Sequence, residues 1–248
     1  MTQQIWGHDR GEESLPFCVQ TIGKNGSTRL HKWLNDYQFM NCTYEQIANS
    51  KHHKDNIVYI FIQDPVVKFI KGFCEMISNL RPAYNVGAIN NLPTVVQAHS
   101  TTQFLVFKEI LAEMSKETIE EFLFKFLQYI DMYKFDYHVE LQTTIIGYVS
   151  KANLNYEVLS VSDIDNFHNI VKEKHAKHFA ERVDGLVNGL RPIDPERVEK
   201  DDRILIEDIV GSLVYKHIDD ELSCIKEYLE PDIGLWELFK NQTTPSTY

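Results

Sequence analysis

Apolar positions along the chain alternate between short continuous runs and helical spacing. Phe17-Cys18-Val19-Gln20-Thr21-Ile22 is a short, mostly apolar run that reads as a strand. Gly23 to Ser27 reads as a loop. Leu30, Trp33, Leu34 and Tyr37 then recur at i, i+3, i+4, i+7, the stripe of an amphipathic helix, with Ser27 or Thr28 as the expected cap. Residues 41–56 are polar and irregular. Ile57 to Ile62 is a continuous apolar run, typical of a parallel strand covered on both faces. Gln63-Asp64-Pro65 ends it, and Asp followed by Pro is a helix-start signal. Val66, Phe69, Ile70, Phe73 and Ile77 continue as a helical stripe.

Residues 80–103 are rich in Asn, Ser and Thr and are interrupted by proline and glycine, so they read as a long loop that lines or covers a site. Residues 104–114 and 118–133 read as helices, and 136–150 fit neither period. Residues 156–161 read as a strand, with a turn or short helix opening at Ser162-Asp163. A helix over 175–190 stops at Arg191-Pro192. Residues 202–229 read as one or two helices with a break near Asp219-Asp220, and 232–240 as a short final helix. Strands alternating with longer helices predict the α/β class, with a small parallel sheet and a largely helical C-terminal half. The length suits a single domain over 1–248, with 1–14 and 241–248 as flexible ends.

Composition narrows the partners. The chain is 43% hydrophobic and 25% charged, ordinary for a globular protein with a full core. Its formal net charge of −11 disfavours non-specific binding to nucleic acid or an anionic membrane. A local anion site remains compatible with that field, because a few backbone amides and one lysine can supply it. The cysteines Cys18, Cys42, Cys74 and Cys224 form no CxxC pair, and Cys18 and Cys74 lie in apolar segments as expected of buried thiols. This usage fits a reducing compartment. The polar start of the chain is neither a signal peptide nor an anchor, and no run approaches the roughly 18 apolar residues of a membrane span, so a cytoplasmic location is expected.

Chemistry concentrates at Lys24-Asn25-Gly26-Ser27-Thr28. A strand, a glycine-containing loop and a helix in succession point backbone N–H groups and the positive helix end at one spot, where an anionic phosphate fits. Gly26 permits close backbone approach, Lys24 reaches the same anion, and Ser27 and Thr28 offer hydroxyls. By itself the loop reads equally well as a tight β–α turn with a surface lysine. It is not a Walker A loop, which places its lysine after the last glycine.

The order Lys-x-Gly-Ser-Thr resembles the 5′-phosphosulfate loop of sulfotransferases, especially the carbohydrate sulfotransferase branch. In that family a buried strand ends in Arg-Asp-Pro and a helix carrying a serine follows; the arginine and serine hold the donor's 3′-phosphate. Here Gln63-Asp64-Pro65 stands in place of Arg-Asp-Pro, and the serine position falls on Lys71. The resemblance implies that Lys71 supplies the cation and Gln63 a hydrogen bond, or else that the 3′-phosphate site is altered. Weaker similarities follow in order. Glu120-Glu121-Phe122 with His138 to Gln142 is similar to the family's "EEF … H-x-x-x-Q" stretch. Tyr156 to Asp163 is similar to a family strand and its Glu-Asp turn, with Ser162 in the place of the Glu, and Tyr228 to Phe239, with Asp232, to a closing Tyr…Asp…Phe segment.

The resemblance implies a P-loop-like three-layer α/β/α fold of soluble bacterial or viral type. It also implies transfer of a sulfuryl group from 3′-phosphoadenosine 5′-phosphosulfate to a hydroxyl of a carbohydrate or small molecule, releasing adenosine 3′,5′-bisphosphate. The alternatives are a catalytically altered nucleotide-binding or interaction protein on the same fold, and a P-loop-like phosphotransferase. The donor residues implied are Lys24, Asn25, Gly26, Ser27, Thr28, Gln63 and Lys71. Lys24 would stabilise charge on the bridging oxygen, and His31 or His138 would serve as general base, with His99 behind them. His52 and His53 precede the second strand, at the edge opposite to parallel-sheet chemistry. No metal is required; His175 and His178 have ligand spacing but no third ligand.

Overall fold

The computed structural model describes residues 5–7, 15–50, 56–86, 117, 119–121, 123, 139–175, 190–191, 201–218 and 224–243, with the side chains of 76–86, 201–206 and 243 left aside. The chain divides into two compact units. One comprises Met1–Gln63 with Gln142–Arg197, the other Asp64–Leu141 with Val198–Tyr248. The expected α/β class holds.

The first unit is built on a five-stranded sheet: β1 (Ile5–Gly7), β2 (Phe17–Gln20), β3 (Met40–Cys42), β4 (Ile57–Ile62) and β5 (Tyr156–Ser160), in the order β3-β1-β2-β4-β5. β2, β4 and β5 run parallel, as the apolar run at 57–62 predicts. β1 is antiparallel to both β2 and β3, so the sheet is mixed rather than parallel. The correction comes from Ile5–Gly7, which the polar composition of residues 1–14 hides. It is a buried strand, with Ile5 fully inaccessible. Residues 41–49 are also structured where irregularity was expected over 41–56. β3 is followed by α2 (Tyr44–Asn49), whose capping box pairs Thr43 with Gln46.

Side chains alternate across the sheet, and helices cover both faces. Phe17, Val19, Tyr59, Phe61 and Leu159 face α1 (Ser27–Asp36), which contributes Leu30, Trp33 and Leu34, and the segment after β5, which contributes Ile164, Phe167 and Val171. Ile5, Cys18, Val58 and Ile60 point the other way, against Ile47 of α2 and Ile145 and Val149 of the helix over Gln142–Lys151. The stretch 136–150, ambiguous in sequence, therefore contains a core helix.

In the second unit α3 (Pro65–Val86) begins where Asp64-Pro65 predicts. Asp64 Oδ1 accepts from the N–H groups of Val66 and Val67, at 2.9 and 3.1 Å. The helix over Gln142–Lys151 is α4; α5 spans Phe167–His175, α6 Asp201–Ile218 and α7 Cys224–Thr243. α3, α6 and α7 pack on one another, and Phe69 and Phe73 of α3, Val210, Leu213 and Val214 of α6, and Ile225 and Leu229 of α7 are buried. α6 stops close to the expected break. α7 is longer than the short final helix expected over 232–240, and it carries Pro231 at an exposed position in its interior. Lys68 is buried on α3, with its Nζ donating to the Glu140 carbonyl, and the Tyr228 hydroxyl donates to the Val139 carbonyl at 3.1 Å.

Candidate functional site

The loop after β2 lies at the carboxyl ends of the parallel strands, the edge where open α/β sheets bind ligands. Gln20 pairs with Ile60 and Ile62 with Ser160. β2 therefore stops short of β4, and residues 21–26 run alongside the last residues of β4. Two residues of this loop adopt left-handed backbone: Lys24 at φ 68° and Gly26 at φ 69°. Gly26 needs that freedom and one thing more. A β-carbon there would lie 2.3 Å from Ile164 Cδ1, in the 3-10 helix Val161–Asn166 that follows β5. Gly26, rather than Ser27 or Thr28, is the N-cap of α1, and it offers no side-chain cap to the first turn.

Three amide side chains hold this loop. Asn25 is fully buried, and its Nδ2 donates to the Phe61 carbonyl and to Gln142 Oε1, both at 2.7 Å. Gln63 Nε2 donates to the Lys24 carbonyl at 2.8 Å and to Asn25 Oδ1 at 3.0 Å. Gln142 Oε1 also accepts from the Gln63 backbone N–H at 3.0 Å, and Gln142 Nε2 donates to the Gln63 carbonyl at 3.0 Å. Both Nδ2 hydrogens of Asn25 and both Nε2 hydrogens of Gln63 are thus engaged within the protein.

The structure therefore groups Lys24, Asn25, Gly26, Ser27, Thr28 and Gln63 at one edge of the sheet. Lys24, Gly26 and Ser27 are half-buried and Thr28 is exposed. The Asn25 and Gln63 side chains shape the loop from within. His31, one turn into α1, lies in the same unit. Its Nε2 is 2.9 Å from Thr21 Oγ1, and its ring lies 5.1 Å from that of Trp6. Burial lowers its pKa below the usual histidine value, which leaves the ring neutral at neutral pH. Lys71 lies on α3 in the other unit, where it is half-buried. His138, His99, His52, His53 and His178 lie outside the described residues.

Other groups singled out in the sequence have structural roles. His175 is buried, and its Nε2 lies 2.9 Å from the Tyr59 hydroxyl. Among the described residues no group of three His, Cys, Asp or Glu side chains is arranged to hold a metal, and no helix is long and apolar enough to cross a membrane. Cys18 and Cys74 are buried thiols as expected, and burial pushes the Cys18 pKa up. Ser160 and Asp163 form a capping box at the start of the 3-10 helix, and Arg29 of α1 pairs with Asp165 in it.

Sequence reasoning missed Gln142 as a partner of the loop, and Thr21 and Trp6 as neighbours of His31. No spacing links Asn25 to a residue more than a hundred positions away, and Trp6 sits in a segment whose polarity conceals a strand. Comparison with protein-family models, with curated proteins and with solved structures finds no match for this chain.

Proposed function

We propose that this chain is a sulfotransferase that binds 3′-phosphoadenosine 5′-phosphosulfate at the loop Lys24 to Thr28 and transfers its sulfuryl group to a hydroxyl of a carbohydrate or small molecule. One observation carries the reading. A lysine in left-handed conformation, uncommon for a residue with a side chain, has its carbonyl held by the Gln63 amide at the carboxyl ends of the parallel strands of the sheet. Such an outlier, in a loop tied down by three amide side chains and leading into a helix N-terminus without a side-chain cap, suits a preorganised anion site. The P-loop-like three-layer arrangement and a cytoplasmic location belong to the same proposal.

In this mechanism the acceptor oxygen attacks sulfur in line, an O–S bond forms, and the bond from sulfur to the bridging oxygen of the 5′-phosphate breaks. Lys24 and the first amides of α1 stabilise the charge arriving on that oxygen. His31, neutral through burial, takes the acceptor proton. Gln63 acts on the loop rather than on the donor's 3′-phosphate.

That last point favours a second reading, an altered nucleotide-binding protein on the same fold. Where the family's arginine would stand, both Nε2 hydrogens of Gln63 are already bonded to Lys24 and Asn25. Thermal stabilisation by adenosine 3′,5′-bisphosphate, beside ATP and AMP, tests the donor site. The sulfotransferase reading expects selective stabilisation by the bisphosphate together with sulfate transfer. Stabilisation without transfer to any hydroxyl acceptor favours the second reading, and no stabilisation by any of the three removes both.

A further inference from the structure

We infer that Gln142 is the residue that positions the donor loop, acting through Asn25 and Gln63 rather than by touching the ligand. The inference rests on the donor-site reading above and extends it to a residue on a separate helix. Gln142 is the first residue of α4 and is fully buried. Its Oε1 receives both the Asn25 side chain and the Gln63 backbone, and its Nε2 returns a bond to the Gln63 carbonyl. One amide therefore ties the loop after β2 to the end of β4. Asn25 in turn sits between Lys24 and Gly26, the two left-handed residues. Its side chain is held on one side by Gln142 and on the other by Gln63, which also grips the Lys24 carbonyl. The pattern needs an acceptor and a donor at the two ends of one planar group, which an amide supplies and a carboxylate does not. Removing that group strands buried donors and an acceptor, and the loop recovers partners only by leaving its present conformation.

The whole chain with Gln142→Leu, Gln142→Glu and, as a control on the same helix, Val149→Ala tests this. Hydrogen exchange is read at the backbone amides of Asn25, bonded to Ile22 O at 3.1 Å, and of Gln63. Affinity is read with adenosine 3′,5′-bisphosphate by calorimetry. Gln142→Leu is expected to raise exchange at those two amides above the change elsewhere in the unit and to weaken binding about tenfold or more. Val149→Ala is expected to raise exchange broadly and leave affinity near wild type. In Gln142→Glu the carboxyl reproduces the donor end of the amide only while it is protonated. The affinity of that variant is taken as a ratio to wild type at each pH, which removes the contributions of Lys24, His31 and Asp64. The ratio should approach one in acid and fall as the carboxyl ionises.

Exchange at Asn25 and Gln63 that changes no more than in Val149→Ala overturns the positioning role, whatever the ligand does. Wild-type protein that fails to bind the bisphosphate defeats the donor reading instead. Should Gln142→Leu not fold, a Gln142→Glu affinity ratio that is constant with pH overturns the inference.

Discussion

Gly26→Ala separates two demands that the loop makes on one position. An alanine at φ 69° carries a β-carbon in the left-handed region, at a cost of about 1–2 kcal/mol. The same β-carbon would stand 2.3 Å from Ile164 Cδ1, well inside contact distance, and Ile164 is fully buried. Overpacking of that kind costs about 1–3 kcal/mol. The single variant should therefore lose about 2–5 kcal/mol in equilibrium urea unfolding. Ile164→Val removes Cδ1 and leaves Cγ1 at 3.8 Å from the new β-carbon, an ordinary contact. Alone it should cost about 0.5–1.5 kcal/mol. Combined, the two should be less damaging than their sum by about 1–3 kcal/mol, because the steric part vanishes and only the backbone part remains. Strict additivity, within about 0.5 kcal/mol, would refute the claim that the 3-10 helix after β5 packs on the loop through this contact.

Four further outcomes follow from the same geometry. On the proposed function, Lys24→Ala should abolish most sulfate transfer while leaving the urea midpoint close to wild type, and transfer at the wild-type rate would remove its assigned role. Asp64→Ala should cost about 0.5–2 kcal/mol of stability through loss of the α3 cap, with Asp64→Ser recovering much of it in thermal unfolding. Because burial lowers the His31 pKa, its contribution is full above the unfolded value near 6.5 and is lost as pH falls through its folded value. Stability measured from pH 7.5 to 5 should accordingly decline less steeply in His31→Gln than in wild type. Tyr59→Phe should cost about 1–3 kcal/mol, since it strips His175 of a buried partner, and a neutral result in urea unfolding would contradict that pairing.

Much of the α/β unit is legible in the pattern of residues. Ile57–Ile62 announces a doubly covered strand because every position is apolar, and Asp64-Pro65 announces α3 because the cap and the restricted φ are local properties. The stripe Leu30, Trp33, Leu34 places α1 for the same reason. Tertiary pairing hides the rest. Ile5–Gly7 is too short to show a period and becomes a strand only between β2 and β3. Gln142–Lys151 falls in a stretch that fits neither period, and the bonds of the Gln142 amide to Asn25 and Gln63 arise only in the folded unit.

The site divides along the same line. Lys24 to Thr28 stands out in sequence because a strand, a glycine and a helix follow one another within covalent reach, a succession that fits an anion at a helix N-terminus and equally a tight β–α turn. The resemblance to sulfotransferases draws attention to Gln63, which stands where that family carries an arginine. Only the folded unit decides what Gln63 does there. Its amide points into the protein and bonds Lys24 and Asn25, because the parallel register of β2 and β4 brings the loop alongside the end of β4. Hydrogen bonds between residues tens to more than a hundred positions apart leave no trace in local composition, and they are what set the loop's conformation.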